Sequence, residues 1–279
     1  MSKYNLKSEL SGHSGCKIYL LEDANKKIIV RKFSKDVAYN ERLKLQCEKQ
    51  KNFKNPVINA PKVLNCGTND AGLFYFDMDY IRGVTLSEYI RNINVDELND
   101  IVEILTFQIE NINFKECKNN SNAFTDKIKN LRLKANSPLM VEGLNFLSSY
   151  SWGNFPQTFC HGDLTLENII VSRGNFYLID FLDSFYDCFI LDFATLLQDV
   201  HCMWHYRFEK NPDVNTKIRL MIFRDLLLQK ITACDISLID VYCALLLKLI
   251  RIYPYVSDSI TLNFLNSKVE MVMKTIEKL

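Results

Sequence analysis

The 279-residue chain lacks a dominant charge: 34 Lys and Arg face 33 Asp and Glu, a net of +1. Without an overall basic field, nucleic acid is not an indicated partner. The lysine run from Lys49 to Lys54 reads instead as the solvated face of a helix. Also lacking is any apolar run of the roughly 20 residues that a bilayer span needs. The nearest stretch, Leu238 to Ile250, is broken by Asp240 and Lys248. No Cys-x-x-Cys pair occurs, which argues against a structural zinc site. The nine cysteines are scattered, and Cys188, Cys202 and Cys243 lie in apolar segments, where a thiol behaves as a small buried hydrophobe. The opening Met-Ser-Lys-Tyr-Asn-Leu-Lys has no apolar core of signal-peptide length. The expected setting is therefore the cytoplasm, with no membrane partner. There is no internal repeat and no long flexible linker. What remains is ordinary for a globular protein, 48% apolar and 24% charged, and long enough for a large core.

The first eighty residues change character in a definite order. Cys16 to Leu21 and Lys27 to Phe33 are short β-prone runs joined by a hairpin connection. Asp36 to Phe53 has no Gly or Pro, and its apolar residues recur at helical spacing. Lys62 to Cys66 and Leu73 to Tyr80 predict two more strands, and Tyr4 to Leu10 an additional first one. Beyond Gly83 the pattern turns helical. Thr85 or Ser87 can cap a helix through Ile93, Val95 to Asn111 is strongly patterned, and Leu139 to Tyr150 is a short amphipathic helix. The segment from Asn119 to Asn136 is polar and left open. Asn168 to Val171 and Phe176 to Asp180 predict two strands turned by Ser172-Arg-Gly-Asn175, and from Asp192 onward three or four helices follow. This is an α+β chain with a mixed N-terminal part (residues 1–82) and a mainly helical C-terminal part (83–279). A cleft between such parts is the usual place for a ligand.

Chemistry concentrates between Cys160 and Phe181. The segment reads Cys-His-Gly-Asp-Leu-Thr-Leu-Glu-Asn-Ile-Ile-Val and then, after a turn, Tyr-Leu-Ile-Asp-Phe. Asp163 stands five residues before Asn168, and Asp180 ends an apolar strand twelve residues further on. Phosphoryl transfer needs such a set: one group to orient an attacking hydroxyl, and two oxygen ligands to hold Mg2+ against the phosphates of ATP.

His161-Gly162-Asp163-Leu164, with Asn168 and Ile179-Asp180-Phe181, resembles the aminoglycoside phosphotransferase and choline kinase family of small-molecule kinases. The resemblance implies a protein-kinase-like bilobed fold, with an antiparallel N-terminal sheet plus a helix and a helical second lobe. It makes Asp163 the catalytic base and Asn168 and Asp180 the magnesium ligands. His161 braces the loop, and Asp192 in Leu191-Asp192-Phe193-Ala194 anchors it. Ser11-Gly12-His13-Ser14-Gly15 falls where the family turns over the nucleotide phosphates, so Gly12, Ser14 and Gly15 are candidate phosphate contacts. It is no Walker A loop, since the Gly-Lys-Ser/Thr ending is absent. Arg31 or Lys32 should supply the cation for the α- and β-phosphates. Strand alternation sends the two to opposite faces, and the choice stays open. The carboxylate partner on the next helix is Glu41 or Glu48, with the longer separation favouring Glu48. Phe76-Asp77-Met78-Asp79-Tyr80-Ile81-Arg82-Gly83 resembles the family's hinge, which implies that the Asp79 carbonyl and the Ile81 amide read the adenine edge beside Met78.

Gly162 stands where protein kinases carry Arg, and Leu191 follows Asp180 by only eleven positions. A regulated activation loop does not fit there, so the acceptor is a small molecule rather than a protein. Candidates are an amino alcohol such as choline, or a sugar or aminoglycoside, contacted by Asp183 and Trp204. GTP could replace ATP at a hinge read by backbone groups. A catalytically silent nucleotide-binding module of the same fold is the alternative. Oligomeric state is not indicated.

Overall fold

The computed structural model describes residues 4–10, 15–109, 117–209 and 213–279. The chain divides into two compact units, Met1–Val84 with Ile169–Asp183, and Thr85–Asn168 with Ser184–Leu279.

The first unit is built on a five-stranded antiparallel sheet of order β1-β2-β3-β6-β5. Its strands are β1 (Tyr4–Leu10), β2 (Lys17–Asp23), β3 (Ile28–Phe33), β5 (Val63–Thr68) and β6 (Phe74–Asp79). Between β3 and β5 run helix α1 (Asn40–Asn52) and the two-residue strand β4 (Ile58–Asn59). Helix α1 buries Leu43, Gln46, Cys47 and Gln50, the i, i+3, i+4, i+7 stripe of one helical face. Leu43 and Cys47 join Ile18, Val30, Phe74, Phe76 and Met78 in the core. Alternation along β3 puts Lys32 on the same side as core residue Val30 and Arg31 on the other. The second sheet, of order β4-β9-β8-β7, contains the hairpin β8 (Ile169–Ser172) and β9 (Asn175–Leu178), with β7 at Val84–Thr85. The hairpin turns on Arg173 and Gly174, both at positive φ, as predicted for Ser172-Arg-Gly-Asn175. Gly83 is required where it stands: a Cβ there would lie 2.3 Å from the Val171 carbonyl oxygen.

The second unit is helical. Its helices are α2 (Leu86–Tyr89), α3 (Val95–Thr106), α4 (Ser121–Arg132), α5 (Pro138–Ser149), α6 (Phe189–Val200), α7 (Val214–Ala233), α8 (Leu238–Ile250) and α9 (Ser259–Ile276). The starts follow capping chemistry: Thr85, Ser137, Asp213 and Asp258 each accept a backbone N–H from the first turn through their side chains. Helix α6 is buried along its whole length, and α8 from Asp240 to Ile250, so both are central helices, mostly apolar but carrying Asp192, Asp199, Asp240 and Lys248 into the interior. They pack on each other, and α5 and α9 also pack on α8. Among the described residues no helix is long and apolar enough to cross a membrane.

Two helix ends differ from the sequence expectation. Helix α2 stops at Tyr89 instead of Ile93, and α3 gives way to a 3-10 turn at Phe107–Ile109. The open segment forms α4, whose Phe124, Ile128 and Leu131 supply an apolar stripe too sparse to dominate its polar composition. Strands β4 and β7, two residues each, are too short to show a period.

Candidate active site

In the first unit the ionic side chains gather at β3. Adjacent in sequence, Arg31 and Lys32 have opposite fates. The guanidinium of Arg31 donates twice to Asp77, at 2.6 and 2.8 Å, and lies 4.3 Å from the centre of the Tyr75 ring. That bonding with fully buried Asp77 raises its pKa further above the usual arginine value. Lys32 points the other way, under α1, with its side chain 3% exposed, and its Nζ donates to Asp180 Oδ1 at 3.1 Å. The geometry therefore brings Lys32, not Arg31, to Asp180. Asp180 itself sits two residues after β9 at φ +59°, a left-handed conformation that Asp tolerates better than most residues. Lys49 Nζ donates to the Leu182 carbonyl at 3.0 Å and ties the following segment to α1.

The expected carboxylate partner is corrected. Glu41 pairs with Lys44 at the surface, and Glu48 is exposed. Seven residues apart, they do share a face, but that face meets solvent. The face toward β3 carries Gln46, whose Oε1 lies 3.5 Å from Lys32 Nζ while its Nε2 donates to the Tyr39 hydroxyl at 3.2 Å. One turn later Gln50 Nε2 donates to the Pro61 carbonyl and to Met78 Sδ. Met78 is thus part of the core under α1. The Asp79 N–H donates to the Lys62 carbonyl, its carboxylate pairs with Lys27, and Ile81 is half-buried after the strand end. Gly15 has φ +75°, whereas Gly12 and Ser14 lie outside the described residues.

In the second unit the loop from Cys160 to Asn168 is held by charges drawn from two buried helices. Asp192, on α6, accepts the N–H groups of His161 and Gly162. Burial pushes this carboxyl up, while His161, the two amides and Lys248 pull it back. Asp199, two turns along α6, accepts the Leu166 N–H at 2.8 Å, and burial raises its pKa to about 7. Lys248, on α8, donates to the Gly162 carbonyl at 3.1 Å. His161 Nδ1 accepts the Asp163 N–H. Asn168 donates Nδ2 to the Asp163 carbonyl at 2.8 Å and to its carboxylate at 3.3 Å, which leaves the Asn168 amide oxygen without a partner among the described residues. Arg251 Nη2 approaches Asp163 Oδ1 at 3.6 Å. Glu167 bonds the Ser87 hydroxyl and lies 3.4 Å from His205 Nδ1.

The two acceptor candidates stand differently. Asp183 is half-buried at the end of the first unit. Trp204 lies in a 3-10 turn against the edge of Phe264, and the Arg207 guanidinium sits 4.2 Å from its ring centre. One face of that ring already holds a cation of the chain itself.

The sequence points to no supporting role for Gln46, Asp199, Lys248 or Arg251; Asp199 stands there only among residues that could line an acceptor pocket. For Lys248 a signal existed: a lysine inside an apolar helix, read only as the break in a candidate span. Gln46 has no pattern of its own and was hidden by the search for a carboxylate.

Residues 131–215 match the model of the phosphotransferase enzyme family APH. No curated protein matches the sequence. Among solved structures, the chain is similar to a thermostable mutant of aminoglycoside phosphotransferase APH(4)-Ia, with 12% identity over 98% of this chain and 95% of that one and a TM-score of 0.64. It is also similar to an amicoumacin kinase in complex with AMP-PNP, Ca2+ and Ami, at 14% identity over 99% and 88% and a TM-score of 0.58. A glucosamine kinase in complex with glucosamine, ADP and inorganic phosphate gives 9% identity, 96% and 93%, and 0.50. The α+β protein-kinase-like fold expected from the sequence is the fold of these structures. The family match supports the class expected with it, a small-molecule phosphotransferase enzyme.

Proposed function

We propose that the protein transfers the γ-phosphoryl group of ATP to a hydroxyl of a small molecule, with Asp163 as the base. The observation that carries this reading is the loop geometry. Asp163 is fixed through main-chain anchors on both sides, and its carboxylate stays partly exposed between Asn168 and Arg251. A base held in place and open to a hydroxyl suits a reaction with a loose transition state, where positioning and charge neutralisation supply most of the acceleration.

Magnesium fits the donors present. Asn168 turns its nitrogen to Asp163 and leaves an amide oxygen, and Asp180 offers a partly exposed carboxylate. The described residues hold no group of three or more His, Cys, Asp or Glu that could take a metal ion alone. Oxygen ligands completed by substrate phosphates are the usual arrangement for this ion, which when bound neutralises charge on the transferred group. Lys32 is then the cation for the nucleotide phosphates, in place of the open choice between Arg31 and Lys32, and Gln46 orients it. Gly12, Ser14 and Gly15 remain the proposed phosphate turn, and Asp79 and Ile81 the proposed adenine contacts. Residues before Gly83 serve the nucleotide, and those after it carry the base and the acceptor.

Asp183 is the proposed acceptor contact. Arg207 over Trp204 argues against a quaternary ammonium on that ring face. A sugar or aminoglycoside hydroxyl is the favoured acceptor over choline. The test is a screen with labelled ATP, and GTP in parallel, against amino alcohols, sugars and aminoglycosides. Label transfer to a hydroxyl compound, lost in Asp163→Ala, supports the reading. Tight Mg-ATP binding with no transfer to any compound would favour the silent binding module.

A further inference from the structure

Lys248 lies in the last turn of α8, is 4% exposed, and has Leu and Ile for neighbours. An apolar residue would suit the helix pattern better. Burying an ammonium is costly unless it is bonded and its charge balanced. Its Nζ donates to a single backbone group, the Gly162 carbonyl, at 3.1 Å. The charged and titratable groups around it are Arg251 at the C-cap of α8, Asp163 and Cys160 from the loop, and Asp192 from α6.

Gly162 immediately precedes Asp163 and has φ +94°, a conformation open to glycine. Both of its main-chain groups are held by buried ionic side chains: the N–H by Asp192 Oδ1 at 2.8 Å, the carbonyl by Lys248. Asp192 fixes the peptide that enters Gly162, and His161 Nδ1 accepts the Asp163 N–H on the far side. The carbonyl on the exit side belongs to the peptide that joins Gly162 to Asp163, and Lys248 is the donor that turns it inward.

We propose that Lys248 is a positioning residue for Asp163, its ammonium clamping the Gly162–Asp163 peptide so that loss of its charge releases the base. This rests on the reading of Asp163 as the base. Burial lowers the pKa of Lys248 to about 8, with Arg251 adding to the effect and Asp163, Asp192 and Cys160 opposing it. The clamp is therefore charged at neutral pH and lost as pH rises through about 8. The enzyme carries its own alkaline limit on turnover, set by a residue that touches no substrate.

The experiment uses the full chain with Mg-ATP as the probe and water as the acceptor, so that no acceptor need be known. Wild type, Lys248→Met, Lys248→Arg and Asp163→Asn are compared by ATP hydrolysis against pH and by hydrogen exchange of the His161–Asn168 amides. Lys248→Met should lower kcat about 100-fold, the cost of a small misplacement of a reacting group. KM for Mg-ATP should stay within about twofold, since ground-state binding is untouched. Lys248→Arg should restore most of kcat and move the alkaline limb to higher pH. Exchange should rise only at the loop in Lys248→Met, and in the wild type above pH 8 beyond the ordinary base-catalysed increase.

Wild-type kcat and an unshifted alkaline limb in Lys248→Met, with Asp163→Asn inactive, would overturn the role of Lys248 and leave the base in place. Full activity in Asp163→Asn would instead remove the base, and loop exchange would still decide whether Lys248 holds the peptide. Should Lys248→Met not fold, loop exchange in the wild type decides: flat protection across pH 8 contradicts the clamp, and a rise supports it.

Discussion

The two units position their functional side chains by different means. Beside its ion pair with Asp180, Lys32 is supported from α1 by neutral carboxamides: Gln46 lies 3.5 Å from the ammonium, and Gln50 bonds the Pro61 carbonyl and Met78. Around Asp163 they are buried ionisable groups: Asp192, Lys248, and Asp199, which burial leaves about half protonated near pH 7, each committed to the backbone of the loop. The difference follows from what must be held. A strand side chain such as Lys32 is already directed by the sheet register and needs only light guidance. A loop with a positive-φ glycine has no ladder of its own, so its peptides need strong, fixed partners. Charge-assisted bonds to backbone groups are about twice as strong as neutral ones.

That contrast can be broken by removing one support from each side. The largest effect is expected for Asp192→Ala, which strips the His161 and Gly162 amides of their acceptor and removes one of the negative groups that balance buried Lys248. Breaking such a buried arrangement costs about 3–5 kcal/mol. Urea unfolding should show a correspondingly lower midpoint, and an unchanged midpoint would remove the ionic scaffold from the account. Next comes Gly83→Ala, whose new methyl meets the Val171 carbonyl. Overpacking of this kind costs about 1–3 kcal/mol, read by the same titration. Gln46→Ala should cost only about 1 kcal/mol, the net worth of an ordinary hydrogen bond. A loss as large as that of Asp192→Ala would erase the distinction between the units.

The last effect vanishes at neutral pH and shows only in acid, in the helical unit. His201 is placed at the end of α6 beside Tyr242, with both ring nitrogens buried and unpartnered among the described residues. Burial first, and then Arg224 and Lys268, lower its pKa to about 4. Between the usual histidine value and that one, the unfolded chain takes up a proton that the folded chain does not, so stability falls as pH drops from about 6.5 toward 4. His201→Phe should flatten the acid side of the stability profile and leave it alone above pH 7. An unchanged acid limb would show that other groups set it.

Much of this arrangement was legible in the residues. Asp163, Asn168 and Asp180 stand at informative spacings, and the five strands of the large sheet follow alternation and turn chemistry. Asp192 was found because it sits in a motif. Lys32 was half-found: alternation separates it from Arg31 but does not say which face α1 covers, and that depends on Val30, Leu43 and Cys47 meeting in one core. Gln46, Asp199, Lys248 and Arg251 were not legible, because each acts across a tertiary contact with no fixed offset from the loop. Lys248 acts over 86 residues of sequence, on a carbonyl that any residue type would present. The polar look of α4 likewise hid a stripe of three apolar residues that only packing reveals.

The central claim is that Asp163 is the base of a phosphoryl transfer to a small-molecule hydroxyl. Its most direct measurement is label transfer from γ-labelled ATP to the best acceptor, in the wild type and in Asp163→Asn, alongside calorimetry of Mg-ATP binding to both. The account predicts that transfer falls at least about 1000-fold, within the range for losing a general base, while nucleotide affinity stays within about threefold, as for a group acting only in the transition state. Wild-type-like transfer by Asp163→Asn would contradict it.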